Sequence, residues 1–459
     1  MNTVLKANHP SLYWYTTKDS LENYFSTVLN GLQDSLTEPQ FRNKLTWYVS
    51  KIHCGHTSTR PSKGYVKYYA NKKLPQFPLN IKIWKDSAVV ISNLLKKDSA
   101  VKRGNIITSI NGFSSRQIID SMCTLISTDG FSDNFKYQAL SFNFPSYYRN
   151  AFGIDTQYVV RYQDNNGNNL TDTLQNFNSF TDSSAKKVDT TTIKISPVEN
   201  PLSKKQIKQL SLASARNLKI DTALHTAFLS VNTFSKGKLI RFFRNTFKQL
   251  KKDSIKHVVI DLRLNTGGDV MASTKLCKYL TDKPFRIADT VSSAHHGMKY
   301  KGSIAPWFWY WWAMQFSVTK MDDGRYHFRY FERHQFNPKK NNHFDGNIYL
   351  ITGGYTFSAA SIFTNNLKGQ SNVKIIGEET GGGSYGNSAI FIPDIVLPNT
   401  KVRVRLPLFR MVLNKNHPKT GRGIFPDVEV LPTTDFIRRA ADAKMDKVKE
   451  MIRGYENGK

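Results

Sequence analysis

Residues 257–269 read HVVIDLRLNTGGD. From Val258 to Leu264 the run is apolar except for Asp261 and Arg263, as expected of a strand buried on both faces of a sheet. Gly267 and Gly268 follow it through Asn265 and Thr266. Glycines at the carboxyl end of an interior strand let backbone come close to a ligand, and sites in α/β sheets gather at such ends. A tight strand-to-helix turn would also call for one glycine, so both readings stand here.

Working outward, TAFLSVNTF at 226–234 predicts a strand and Lys236 to Lys252 a basic amphipathic helix. Beyond them, NIYLITGG at 347–354 predicts a second buried strand, SAASIFTNNLKG a helix and VKIIGE a further strand. This alternation predicts an α/β layer built on βαβ crossovers. Ser358 falls where the second buried strand gives way to its helix. A serine there sits beside free backbone N–H groups and the positive end of the helix dipole, both suited to a developing oxyanion. The competing reading is a helix cap at Ser358 or Thr356, the commoner use of such residues. No GxSxG elbow is present, because Gly354 lies four residues before Ser358. A second glycine cluster, Gly381, Gly382, Gly383 and Gly386, lacks the GK[ST] of a phosphate loop and is read as a mobile or close-approach loop.

Towards the start of the chain, Phe41, Leu45, Val49 and Ile52 form one face of a helix predicted over 38–53, with Thr37 as cap and Pro39 in its first turn. It delivers the string HCGHT at 53–57. His56, taken alone, reads first as a capping or surface residue, the commoner use of a histidine after a helix end, with catalysis as the lesser reading, and no HExxH or carboxylate partner supports a metal site with His53. Between 76 and 178, the runs LNIKIW, AVVISNLL, NIITSING and QYVVRYQ predict a small β-rich domain. Its KRGNIITSING at 102–112, with a helix expected over 116–126, looks like half of a PDZ domain, a module that binds extended peptides at a sheet edge. Residues 179–217 read as a polar linker with some helix. The stretch PWFWYWWAMQF at 306–316 reads as a helix packed on a neighbouring layer, or as an exposed lid.

Composition narrows the classes. The 459 residues are 39% hydrophobic, which excludes collagen-like and low-complexity chains. Three unpaired cysteines exclude a disulfide scaffold, and no run of 18 apolar residues supports a membrane span. The net charge of +30 permits anionic partners, but the lysine clusters accompany no nucleic-acid-binding motif and read as solvated helix faces. The sequence opens without a secretory signal, so the protein is expected to be cytosolic or to have its export signal outside this numbering.

Four strings, DLRLNTGGD at 261–269, GGYTFSAASIF at 353–363, IIGEETGGG at 375–383 and GRGIFPDVEV at 421–430, together resemble peptidase family S41, which includes the tail-specific processing proteases and the tricorn core protease. They occur in the family's order after a PDZ-like segment. The resemblance implies a multi-domain α/β protein: a helical segment over 1–75, a PDZ-like domain over 76–178, a linker over 179–217 and a ClpP/crotonase-like catalytic domain over 218–459. It implies Ser358 as nucleophile, and an oxyanion hole from Ala359 with Gly267 or Gly268. The lysine of the tail-specific branch is missing, since the matching position is Gly383 and no lysine lies between Lys374 and Lys401. The tricorn-like branch instead takes a histidine from before the PDZ domain, which implies His56 as general base. Its orienting glutamate has no counterpart in HPKTGRG at 417–423, leaving Glu378 and Thr420, with Glu379 and Asp427 behind them, as candidates. The expected activity is serine-type cleavage of unfolded or C-terminal peptide segments, with no metal or cofactor. The expected partner is a polypeptide substrate, not nucleic acid, at a periplasmic or cell-surface location where the charge permits association with an anionic envelope. The rival readings are a non-catalytic binder of lipophilic ligands or peptides on the same fold, and a binder of anionic polymers.

Overall fold

The computed structural model describes residues 1–72, 74–96, 100–178 and 203–457. At its centre His257–Asp261 lies in a six-stranded sheet, between Thr226–Val231 and Asn347–Thr352. Val373–Gly377 and Val428–Glu429 extend the parallel set on one side, and Arg216–Asp221 closes the other side antiparallel. Alternate residues serve the two faces, as the pleat requires. Val258, Ile260, Ile348, Leu350 and Ile375 face the helices Leu239–Lys252, Val270–Cys277 and Ala359–Leu367. Val259, Tyr349, Ile351 and Ile376 face the last helix, Ala443–Asn457, through Val448 and Ile452. Cover on both faces is why these strands are so apolar.

That last helix is pinned by a buried ion pair, Lys444 Nζ to Glu378 Oε2 at 2.6 Å, with Lys444 also donating to Thr352 O at 2.8 Å. Burial would raise the Glu378 pKa, but Lys444 and then Lys82 outweigh it and hold the carboxyl below its usual range. Replacing Lys444 by methionine strands that carboxylate, and the expected cost is about 3 kcal/mol in denaturant unfolding. A loss below about 1 kcal/mol would show that Lys82 alone suffices.

The unit over 76–178 is a separate sheet, Leu79–Trp84, Ser87–Asn93, Ile106–Ile110, Gln157–Gln163 and Asn169–Gln175 in spatial order, with Phe113–Ser114 paired to the third. Three helices accompany it: Ser115–Cys123, Asp133–Phe142 and Phe144–Phe152. The four expected strands match the first four of these closely, while Asn169–Gln175 and the second and third helices were not read from the sequence. Their aromatic residues Phe144 and Tyr148 are buried against Phe77 and Tyr158.

The N-terminal helices do not form a segment of their own. Val4, Leu5, Tyr48, Val49 and Ile52 share one core with Ile395, Val404, Phe409 and Met411 from the far end of the chain. Thr59–Arg60 then joins a four-stranded sheet beside Arg403–Arg405, followed by Asp394–Val396 and Ile304–Ala305. Of the expected linker, 179–202 lies outside the described residues; Lys204–Ala215 is helical and leads directly into the strand starting at Arg216, so the strand begins before the expected boundary at 218. The aromatic helix Trp307–Ser317 divides its faces: Tyr310, Trp311 and Met314 pack on the shared core, whereas Trp309, Trp312 and Phe316 are exposed. Among the described residues, no helix is long and apolar enough to cross a membrane.

Candidate active site

Ser358 stands at the carboxyl end of the Asn347–Thr352 strand because Thr356, wholly buried, anchors the connection. Thr356 Oγ1 donates to Leu262 O at 2.9 Å and accepts from Gly353 N at 3.1 Å. Its carbonyl receives Gly381 N, Gly382 N and Ser361 Oγ, at 3.1, 3.3 and 3.0 Å. Phe357 N donates to Asn265 O at 3.1 Å, tying the turn to the first glycine loop. So held, Ser358 adopts φ 53° and ψ −122°, a conformation that costs a non-glycine residue about 1–3 kcal/mol. It begins the helix Ala359–Leu367, but its hydroxyl makes no cap hydrogen bond.

The hydroxyl instead meets His56, with Nε2 to Oγ at 3.0 Å across 302 residues of sequence. Arg405 N donates to Ser58 O at 2.9 Å and Thr59 pairs with Val404, so the strand after His56 is clamped to the catalytic half of the chain. Thr57 is braced by His9, Nε2 to Oγ1 at 2.8 Å. The imidazole lies beside the Phe357 ring, centroids 4.9 Å apart, and Phe135 packs behind Phe357 at 5.0 Å. His53 is turned away and its Nδ1 bonds Gly130 O at 2.9 Å. Gly55 N, next to the imidazole, donates at 2.8 Å to Asp129, whose buried carboxyl is pushed up to about 7.

His56 Nδ1 is buried and has no hydrogen-bond partner among the described residues. The sequence candidates for orienting it are engaged elsewhere. Glu378 pairs with Lys444, and Thr420 Oγ1 accepts from Arg422 N at 3.3 Å. Glu379 holds the Arg422 guanidinium and accepts from Gly423 N at 2.7 Å, while Asp427 accepts from Ile375 N at 2.8 Å. The first two expectations are therefore corrected: a motif position cannot reveal that a lysine 66 residues on will claim the carboxylate. The charge that does reach the imidazole is Arg405, absent from the sequence reading because only strand pairing brings it there.

Burial, and Arg405 after it, lower the His56 pKa to about 3. A depressed histidine pKa keeps the imidazole neutral, and so able to accept a proton, at pH values where an ordinary histidine is already charged. Activity limited by His56 is expected to hold level from pH 8 down to about 5 and to fall only below that. A kcat/KM profile with its acid midpoint near 6.5 would contradict this.

Three backbone donors were expected near Ser358. Gly267 N–H is already taken, donating to Asn265 Oδ1 at 2.8 Å. The N–H groups of Gly268 and Ala359 donate to no protein acceptor among the described residues. Gly267 matters through its missing side chain, since a Cβ there would lie 2.7 Å from Ser358 Cβ and 3.0 Å from Ala359 N. The second glycine cluster is likewise a close-approach element, with a Cβ on Gly382 falling 2.3 Å from Ser361 Oγ.

Residues 225–430 match the family model described as Peptidase family S41. No curated protein matches the chain. Among solved structures, mature CPAF complexed with lactacystin aligns over 100% of this chain and 97% of its own, at 13% identity and a TM-score of 0.66. A mutant of CPAF aligns over 99% and 96%, at 13% identity and a TM-score of 0.68. The photosystem II D1 C-terminal processing protease is 14% identical over 96% of each chain, with a TM-score of 0.41. The CPAF likeness speaks for a common fold, and the family match spans all four strings from Asp261 to Val430. Residues 225–430 are thus of the peptidase family S41 type, and the protein is a serine-type peptidase.

Proposed function

We propose that the protein cleaves unfolded or C-terminal peptide segments through an acyl-enzyme on Ser358, with His56 as general base. The observation that carries this is the 3.0 Å contact between Ser358 Oγ and a buried, neutral imidazole, at a hydroxyl that caps nothing. Ser358 Oγ attacks the scissile carbonyl carbon as His56 Nε2 takes its proton, and the resulting oxyanion accepts from the N–H groups of Ala359 and Gly268. On collapse, the C–N bond breaks and His56 returns the proton to the leaving amine. A water, deprotonated by His56, then hydrolyses the ester and restores Ser358.

No protein carboxylate stabilises the imidazolium in this scheme, and Arg405 disfavours it. In triad enzymes the loss of the carboxylate costs about 10⁴ in kcat, so slow turnover is expected. The unit over 76–178 serves in this reading as a PDZ-like holder of extended peptide, and the protein works in the periplasm or at the cell surface, where its +30 charge favours an anionic envelope. The test is a fluorophosphonate probe, which is expected to label the wild type on Ser358. A folded protein that takes no label would overturn the reading.

A further inference from the structure

A cleft of about 640 Å³ opens beside the turn that carries His56, with Gly55, Ser58 and Thr59 along one wall. Arg42, from the helix Glu38–Ser50, and Arg149, from the helix Phe144–Phe152, both line it, as does the exposed Lys72. Among the described residues, no aspartate or glutamate does. The two arginines are partly buried, and neither forms an ion pair among the described residues. Glu38 acts on Arg42 electrostatically, but its oxygens accept from Ser62 N at 2.8 Å and Ser62 Oγ at 2.7 Å. The Arg149 guanidinium donates to Ser146 Oγ over a long 3.5 Å.

The two guanidiniums sense each other: burial lowers the proton affinity of Arg42, Tyr65 and Glu38 raise it, and Arg149 lowers it again. Arg263, Arg403 and Arg422, which also bridge elements of the fold, each pair with a carboxylate. Like charges brought together and partly stripped of water are relieved by an anion between them, and a guanidinium binds a carboxylate with two parallel hydrogen bonds. The cleft begins one residue from the general base, within reach of a peptide seated at Ser358.

We propose that this cleft is a carboxylate-binding subsite for the peptide substrate, in which Arg42, Arg149 and Lys72 take an acidic side chain or a chain-terminal carboxylate close to the scissile bond. The inference rests on the peptidase reading for its substrate, and names the class of peptide preferred.

The experiment measures binding, so that it does not depend on turnover. Full-length Ser358→Ala protein is titrated at fixed salt with matched fluorescent peptide libraries, one pair differing only in Glu against Gln and another only in free acid against amide at the C-terminus. The carboxylate member of at least one pair is expected to bind about 10- to 100-fold more tightly, and the pair that shows it identifies the source. Adding Arg42→Gln and Arg149→Gln is expected to bring that ratio to within about two-fold. Lys72→Gln, at an exposed position that threatens no core packing, is expected to reduce it several-fold and decides the matter if the double variant does not fold. Ratios within about two-fold in both pairs, or a ratio unchanged by these substitutions, would overturn the subsite. Fluorophosphonate labelling of the wild type, run alongside, tests acylation separately: a labelled enzyme indifferent to carboxylates overturns this inference alone.

Discussion

Ser358→Ala and His56→Ala are each expected to lower an already slow kcat by about 10²-fold, and the double variant to be no worse than the poorer single one. The non-additivity follows from the geometry. On the proposed mechanism one proton moves between Ser358 Oγ and His56 Nε2, 3.0 Å apart, so removing either partner removes the same step. Only the oxyanion donors and peptide binding remain after either change. His56 makes no other side-chain hydrogen bond, so its removal is expected to leave the melting temperature near that of the wild type. Steady-state kinetics and thermal melts on the three variants check this. If His56→Ala retained kcat within about ten-fold, the base would have to lie elsewhere in the chain.

Gly267→Ala is expected to lower kcat by about 10²- to 10³-fold, the loss usual when an oxyanion donor is displaced. The added methyl group would lie 2.7 Å from Ser358 Cβ, 2.8 Å from Phe357 O and 3.0 Å from Ala359 N, on backbone at φ 95°. Two of those three neighbours are backbone atoms of the nucleophile's turn, so the turn itself must move. Overpacking and strained backbone together are expected to cost about 2–4 kcal/mol of stability. Gly302→Ala, where nothing lies within 4 Å of the new carbon, is the control and is expected to behave as the wild type. A Gly267→Ala enzyme with full activity would show that the two glycine-anchored loops are not held as tightly as drawn.

The parallel sheet was legible because burial on both faces leaves a local trace. His257–Asp261 and Asn347–Thr352 are apolar along nearly their whole length and end in glycine or threonine turns. The neighbourhood of Ser358 was legible for the same reason, the strand and helix around it being contiguous in sequence. Its partner was not: residues alone left His56 open between capping and catalysis, and only the resemblance to a family drew it to Ser358. The contact depends on a shared core that joins Tyr48 and Ile52 to Val404 and Phe409, packing with no local signature. Arg405 was missed for that reason. Glu378 and Thr420 were proposed from their places in motifs, and a motif does not record which neighbour has already claimed a side chain.

The pairing of Thr59–Arg60 with Arg403–Arg405 also sets an order of events during synthesis. A ribosome releases the histidine early and the serine some three hundred residues later, and on the proposed mechanism the pair waits until the strand at 403 has followed them out. Chains cut short before that point carry both reactive side chains without the strand that brings them face to face. On the proposed mechanism, fragments from interrupted translation are therefore expected to be inactive, and activity waits on the strand Arg403–Arg405.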